Sequence, residues 1–556
     1  MNDDLARLAD EYWEYGLEYE PTDALMLGDH RYDDRMEDVS REAEDAHVAR
    51  LRDFGSRAAA VDPTGLTRDE RVTREVLGFL AGADADFAEQ HLAEVAVNPA
   101  IGVQEMMPVA AGQFPLLEAQ HAEDVLVKFR EMGRMFGQYA DRVLEGLAAG
   151  RTAVDLHIDR TVARLDAWLA SPVGADPLLA VPAPPVFDEA AEAAWRERLA
   201  GVIAERVRPG LARYREAIAA TRGQARSVDR PGLCSLPGGE EAYAAAVRRY
   251  VTLDRDPEEV HRIGLTQIER LADEYRELGS EVLGTTDLAA IFEALRSDPA
   301  LHFSEGPAVV AAAETALAKA RAAMGDWFGR LPQAGCRVAE TPSGPIAFYF
   351  PPATDGSRPG TFFVNTSDPT NWGTFQIESM AYHEGIPGHH LQLAIAQELP
   401  DVPQFRRHAF ISAYGEGWAL YTERLADEMG LYGGPIDRIG MLWGDSMRSC
   451  RLVVDTGMHA LGWSRQQAID FVAANSPMAV GQIEAEIDRY IGMPGQALSY
   501  MLGRIEVQRL RMEAEETMGD GFDVKGFHDV VLGSGVVPLE TLGRLVGEWV
   551  AGGSAS

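Results

Sequence analysis

Cysteine is nearly missing from this chain: 556 residues carry three, Cys234, Cys336 and Cys450, far apart and odd in number. That excludes a disulfide framework and a Cys-rich zinc site. Positive charge is also short, with 51 Lys and Arg against 87 Asp and Glu, a formal net charge of -36. A nucleic-acid surface needs clustered cations, so no nucleic-acid partner is expected, and any anionic ligand requires a local cationic pocket. No apolar run reaches the ~20 residues that span a bilayer, so no membrane partner is expected. The opening Met-Asn-Asp-Asp-Leu-Ala-Arg lacks a basic stretch followed by an apolar one. No signal peptide and a cytoplasmic location are the expectation. No internal repeat of fixed period is found.

What is present is an ordinary globular composition, 46% hydrophobic and 25% charged, over a length that suits two or three lobes. We expect an N-terminal helical lobe over 1–235 and a second lobe over 236–556, packed as one elongated unit. Apolar residues at three- and four-residue spacing predict helices over His121–Arg151 and Asp188–Gly223, the second kinked or broken near Pro209-Gly210. Ser171–Pro185, rich in Pro and Ala, reads as an extended connector. The pattern changes near residue 336, where Cys336–Glu340, Ile346–Phe350 and Thr361–Asn365 are short β-type runs between turn residues. A small antiparallel sheet is therefore expected just before residue 383, with helices from there to the end. The fold class is mainly α.

Residues 382–392, Tyr-His-Glu-Gly-Ile-Pro-Gly-His-His-Leu-Gln, are followed by Glu416 inside Tyr-Gly-Glu-Gly-Trp-Ala-Leu-Tyr (414–421). Two imidazoles and a later carboxylate can bind Zn2+ and leave its fourth position to water. A glutamate beside the first histidine, Glu384, can take that water's proton and pass it to a leaving amine. The spacing departs from the common zinc-peptidase helix, whose histidines are four apart, because the residue four after His383 is Pro387. On an ideal helix His389 would lie ~9 Å further along and ~120° around, and His390 would face correctly but ~10.5 Å away. A regular helix cannot make the site. Pro387 has no N–H for the His383 carbonyl and is flanked by Gly385 and Gly388, so a two-residue bulge would bring His389 into the missing position. The expected ligands are His383, His389 and Glu416, with His390 as the alternative second histidine. Glu423, seven residues after Glu416 on the same helical face, is either a rival third ligand or the group that orients a ligand imidazole.

The pair of motifs His-Glu-x-x-Pro-Gly-His-His-Leu-Gln and Glu-Gly-Trp-Ala-x-Tyr-x-Glu resembles the bacterial family called domain of unknown function 885. Leu-Gly-Asp-His-Arg-Tyr-Asp-Asp (27–34), Arg451-Leu-Val-Val-Asp-Thr-Gly-Met-His459 and Ser499-Tyr500-Met-Leu-Gly503 support the resemblance. Such proteins look like distant relatives of the zinc peptidases of the carboxypeptidase Taq and angiotensin-converting enzyme group. The resemblance implies a zincin-like, multi-helical fold with a deep cleft and a small sheet beside the metal-binding helix. It also implies a gluzincin-like metallopeptidase with a tyrosine hydroxyl near the scissile carbonyl, for which Tyr500 is the candidate. The residues inserted between the ligand histidines depart from those relatives.

Arg448, Arg451, Asp455 and His459 fall on one stripe of one helix. In the functional reading an arginine receives a substrate carboxylate by a forked hydrogen bond, with Arg504 near Tyr500 adding charge, and His459 steadies an oxyanion. The structural alternative is an Arg451–Asp455 ion pair with Arg448 solvated. The strand ending at Asn365 could pair with an extended peptide or be a plain hairpin. Together these expectations describe a zinc-dependent peptidase of small or unfolded peptides, acting from the C-terminus. The alternatives are hydrolysis of a non-peptide amide or ester, or a helical binding protein with a structural or vestigial metal site. Glu384 speaks against the last, since a structural zinc needs no base beside it.

Overall fold

The computed structural model describes residues 2–342, 344–353, 356 and 358–553. It is mainly helical, and among the described residues it holds one three-stranded sheet. The helix Ala119–Ala148 shows how the N-terminal pattern works: Val125, Phe129, Met132, Phe136, Ala140 and Val143 return to one face and are all buried. With Trp195, Leu199, Leu211 and Ile218 they make a core of their own. The kink or break expected at Pro209-Gly210 is a π-type turn over Ile203–Val207, joining helix Glu189–Val202 to helix Arg208–Thr221. The chain stays helical throughout, and Pro209, which has no N–H to donate, follows directly on this wider turn. The connector over 171–185 coils into two 3-10 turns, Val173–Ala175 and Pro177–Ala180.

The larger core joins the two ends of the chain. Leu8, Phe54, Val72 and Leu77 from helices Asp3–Tyr19, Arg41–Ala60 and Arg68–Ala88 share it with Phe405, Leu425, Val531 and Leu542. The first helices therefore pack on residues beyond 400, while residues 97–218 supply most of the other core. Amphipathic spacing tells which face of a helix is buried but not what covers it. At the centre runs helix Pro435–His459, buried on every side from Ile439 to His459 and packed along helix Pro257–Val282.

The sheet differs from the antiparallel one expected. Strand β1 (Cys336–Thr341) runs parallel to β3 (Gly360–Asn365), and β2 (Ala347–Phe350) runs antiparallel to β3, in the order β1-β3-β2. β3 occupies the middle, where both edges are hydrogen-bonded, so of the two readings given for this strand the pairing with a peptide does not hold. β1 and β2 are the edges instead. Sequence order alone does not reveal that β3 inserts between its two predecessors. No helix of the described residues is long and apolar enough to cross a membrane.

Candidate metal centre

Helix Ile377–Glu384 stops at Glu384, the chain turns through a cis Ile386–Pro387 bond, and a new helix, His389–Glu398, begins. The expected bulge is thus a break between two helices. Gly388 makes it possible: a Cβ there would stand 1.9 Å from the His383 carbonyl oxygen and 2.4 Å from that of Tyr382. Trp418 Nε1 pins the turn by donating to the Pro387 carbonyl at 3.0 Å. Glu416 arrives on helix Ser412–Glu428, which crosses helix Ser499–Met518 with Gly417 against Gly503. A Cβ on Gly417 would lie 2.5 Å from the Gly503 backbone.

The turn and the crossing bring three groups to one point. Nε2 of His383 lies 3.5 Å and Nε2 of His389 3.4 Å from Glu416 Oε2. All three ligand atoms fall within 4.8 Å of one another. Zn–N and Zn–O bonds of ~2.0–2.2 Å in a tetrahedron separate ligand atoms by ~3.3–3.5 Å, so the spacing fits a zinc ion. The rings of His383 and His389 are 4.9 Å apart and nearly perpendicular, at 88°. His390, next in sequence, turns the other way: Tyr349 Oη meets its Nδ1 at 2.8 Å and its Nε2 contacts the Ala334 carbonyl at 3.1 Å.

Glu423 stands behind His383. Its Oε1 accepts from His383 Nδ1 at 2.8 Å and its Oε2 from Ser379 Oγ at 2.6 Å, which aims Nε2 at the centre. His389 Nδ1 has no such partner among the described residues. Burial opposes charge on His383, yet its bonds to Glu416 and Glu423 outweigh that and raise the imidazole to about 9. For Glu416, burial opposes ionisation, but His389 and His383 hold the carboxyl below the usual range. The pocket therefore favours positive charge between these groups, which a divalent cation would supply in place of a proton. Burial raises the Glu384 carboxyl, only partly offset by His383 and His389. A carboxylate so adjusted is suited to taking and returning protons.

The centre opens into a cleft of about 600 Å³. One wall is apolar, from β2 and the residues before it (345–349) with Met380, Trp443 and Met447. The other carries Arg448, Arg451, Glu486, Arg489 and Tyr500. Arg448 is buried, yet its Nε and Nη1 have no hydrogen-bond partner among the described residues. Arg451 is anchored to Tyr490 Oη at 2.7 Å and Glu486 at 2.8 Å, with Nη1 unpartnered and its guanidinium 4.4 Å from the Tyr500 ring centre.

Other expected residues sit elsewhere. His459 lies outside the cleft wall, its Nδ1 accepting from the Leu233 N–H and its Nε2 contacting the Tyr490 carbonyl, each at 3.1 Å. Burial lowers it to about 3, and neither nitrogen is free for an oxyanion. Asp455 does not pair with Arg451 but accepts from Tyr243 Oη at 2.7 Å and the Gly495 N–H at 3.1 Å. The reason is shared: the turn before Tyr500 and the segment around Leu233 cover the second half of that helix, so its polar stripe leaves the cleft after Arg451. Arg504 is spent on Asp445, which Arg424 also bonds. Asn365 caps the loop after β3, donating to the Gly344 carbonyl at 2.9 Å and accepting from the Ser367 N–H at 3.0 Å. Sequence reasoning missed Glu486 and Arg489. Their only signal was an acid–base pair three apart on the helix before Met493-Pro494-Gly495.

A second cluster, His30, Asp33 and His121, is a weaker candidate. Its two imidazoles stack at 3.6 Å and 15°, so their in-plane lone pairs run side by side and do not converge.

The chain matches, over residues 21–546, the family described as "Bacterial protein of unknown function (DUF885)". A solved structure of a candidate lipoprotein from Colwellia psychrerythraea is similar at a TM-score of 0.92 and 26% identity, covering 99% of each chain. One of a candidate lipoprotein of unknown function from Shewanella oneidensis shares the fold at a TM-score of 0.77 and 18% identity, over 97% of this chain and 99% of that one. No curated protein matches the sequence.

Proposed function

Because the chain belongs to the DUF885 family, whose description assigns no activity, its function has to be read from the centre itself, and we propose a zinc-dependent peptidase acting on small or unfolded peptides from the C-terminus. One observation carries the reading: His383, His389 and Glu416 converge at zinc-ligand spacing with Glu384 in the wall of the same cleft. Zinc held there would supply a Lewis acid and an activated water. Glu384 accepts a proton at its carboxylate and returns it to the departing amine. Glu423 positions His383. The unpartnered N–H groups of Arg448 and Arg451 receive the substrate carboxylate, and the β2 edge lies where an extended backbone can pair with it.

The test is metal analysis of protein purified without added metal, followed by release of amino acids from mixed peptides with and without chelator. Zinc near one per chain and chelator-sensitive release are expected. Glu384→Gln should retain the metal and lose about 10²–10⁴-fold in turnover. Metal-free protein, or hydrolysis indifferent to chelator, would overturn the reading.

A further inference from the structure

A second cavity, of about 560 Å³, lies across Phe410 from the metal centre, and the Phe410 side chain, 57% exposed, lines both. Its lining is apolar in good part and includes the rings of Tyr12, Trp13, Tyr15, Tyr19, Phe87 and Phe405. These rings hold one another in place: Tyr12 meets Phe405 edge-on at 5.4 Å, Trp13 stacks on His408 at 5.3 Å, and Tyr15 on Tyr19 at 5.9 Å. Four carboxylates face the same space. Two are answered, Glu44 by His91 and Arg142, and Asp84 by Arg249 at 2.6 Å. Glu20 and Asp23 have no hydrogen bond or ion pair at their carboxylates among the described residues. Tyr12, whose phenol is held well above its ordinary range by burial, likewise presents a hydroxyl without a partner.

Aromatic faces and unanswered carboxylates attract one class of ligand, a compact organic cation. In this cavity the protein already makes such a pairing with its own side chain: the Arg249 guanidinium lies 4.9 Å from the Phe87 ring centre while it bonds Asp84. Glu20 and Asp23 are both exposed, and the surrounding protein, then Asp23 and Asp84, push the Glu20 carboxyl up to about 7 against the opposing charge of Arg249. Carboxylates held close together repel one another, and an arriving cation relieves that repulsion.

We propose that this aromatic and acidic cavity is a subsite for an ammonium or guanidinium group. Resting on the peptidase reading, that group is the substrate's own, either its N-terminal ammonium or a Lys or Arg side chain, reaching past Phe410 from a bond held at the metal centre. The cleft then offers arginines to a carboxylate and acids to an amine.

The direct probe is benzyltrimethylammonium, which cannot ligate a metal, titrated calorimetrically into the full-length protein with benzyl alcohol as neutral control. Saturable binding of the cation alone is expected, retained in Glu384→Gln and weakened about tenfold or more when Glu20→Gln and Asp23→Asn are combined. Glu20→Lys, which brings its own cation to the site, should abolish it. No saturable binding, or binding equal in all variants, overturns the proposal. Short peptides with free or acetylated N-termini, and with Lys or norleucine at the first residue, then identify which group enters. Cation binding without any peptide hydrolysis would sink the peptidase and leave the subsite standing; hydrolysis without cation binding would do the reverse.

Discussion

Replacing Glu423 by Gln exchanges one oxygen for an amide nitrogen and removes the charge behind His383. In the native arrangement Glu423 Oε1 accepts from His383 Nδ1 at 2.8 Å, Oε2 accepts from Ser379 Oγ at 2.6 Å, and Arg448 lies 3.7 Å from Oε1. Glutamine can still accept from the imidazole, so the ring keeps its place, but Nε2 loses the charge that makes it a better donor to a metal. Loss of such a partner costs about 10–100-fold in metal affinity, or ~1.4–2.7 kcal/mol. Glu416→Gln alters the carboxylate proposed as a ligand itself and should cost more. Competition against a chromophoric chelator on purified protein measures both. The expected order of affinity runs from the unaltered protein through Ser379→Ala, Glu423→Gln and Glu416→Gln to His383→Ala. Unchanged affinity in Glu423→Gln would refute its positioning role. Complete loss in Glu423→Gln with retention in Glu416→Gln would mean the two carboxylates have exchanged roles.

Arg451→Ala should weaken cleavage of peptides with free C-termini far more than of amidated ones; equal losses would make Arg451 only the structural partner of Glu486 and Tyr490 seen in the cleft wall. Gly388→Ala places a methyl group 1.9 Å from a carbonyl oxygen, so a stability loss of about 3 kcal/mol or more is expected in denaturant titration together with loss of metal, and a normal midpoint would contradict the close approach. Burial raises Asp455 to about 7, so between its unfolded value near 3.8 and that pH the folded protein keeps a proton the unfolded chain has released, and stability falls as pH rises. Asp455→Asn removes this contribution. The stability difference between variant and unaltered protein should shift in favour of the variant from about pH 4 to about 7 and then level off; a pH-independent difference would refute the raised carboxyl.

Short-range chemistry was legible in the sequence. The presence of His383, a His389-His390 pair and a later glutamate, the carboxylate beside the first histidine, and the impossibility of a regular helix through Pro387 all follow from residue identity and from spacing along the chain. The helices and the three strands were legible for the same reason, because a period of 3.6 or 2 is written locally. Choices that depend on a covering partner were not. His389 faces Glu416 because Gly388 lets a second helix start against the end of the first, and His390 is claimed by Tyr349 on β2. Glu423 lies behind His383 because of how two helices cross, which neither sequence states alone. Asp455 and His459 share a stripe with Arg448 and Arg451, yet they leave the cleft because Gly495 and Leu233, distant in the chain, close over them. Periodicity determined which faces would be buried; only the tertiary packing, through close backbone approaches and long-range hydrogen bonds, decided which buried polar groups face the cleft and which are satisfied inside the protein.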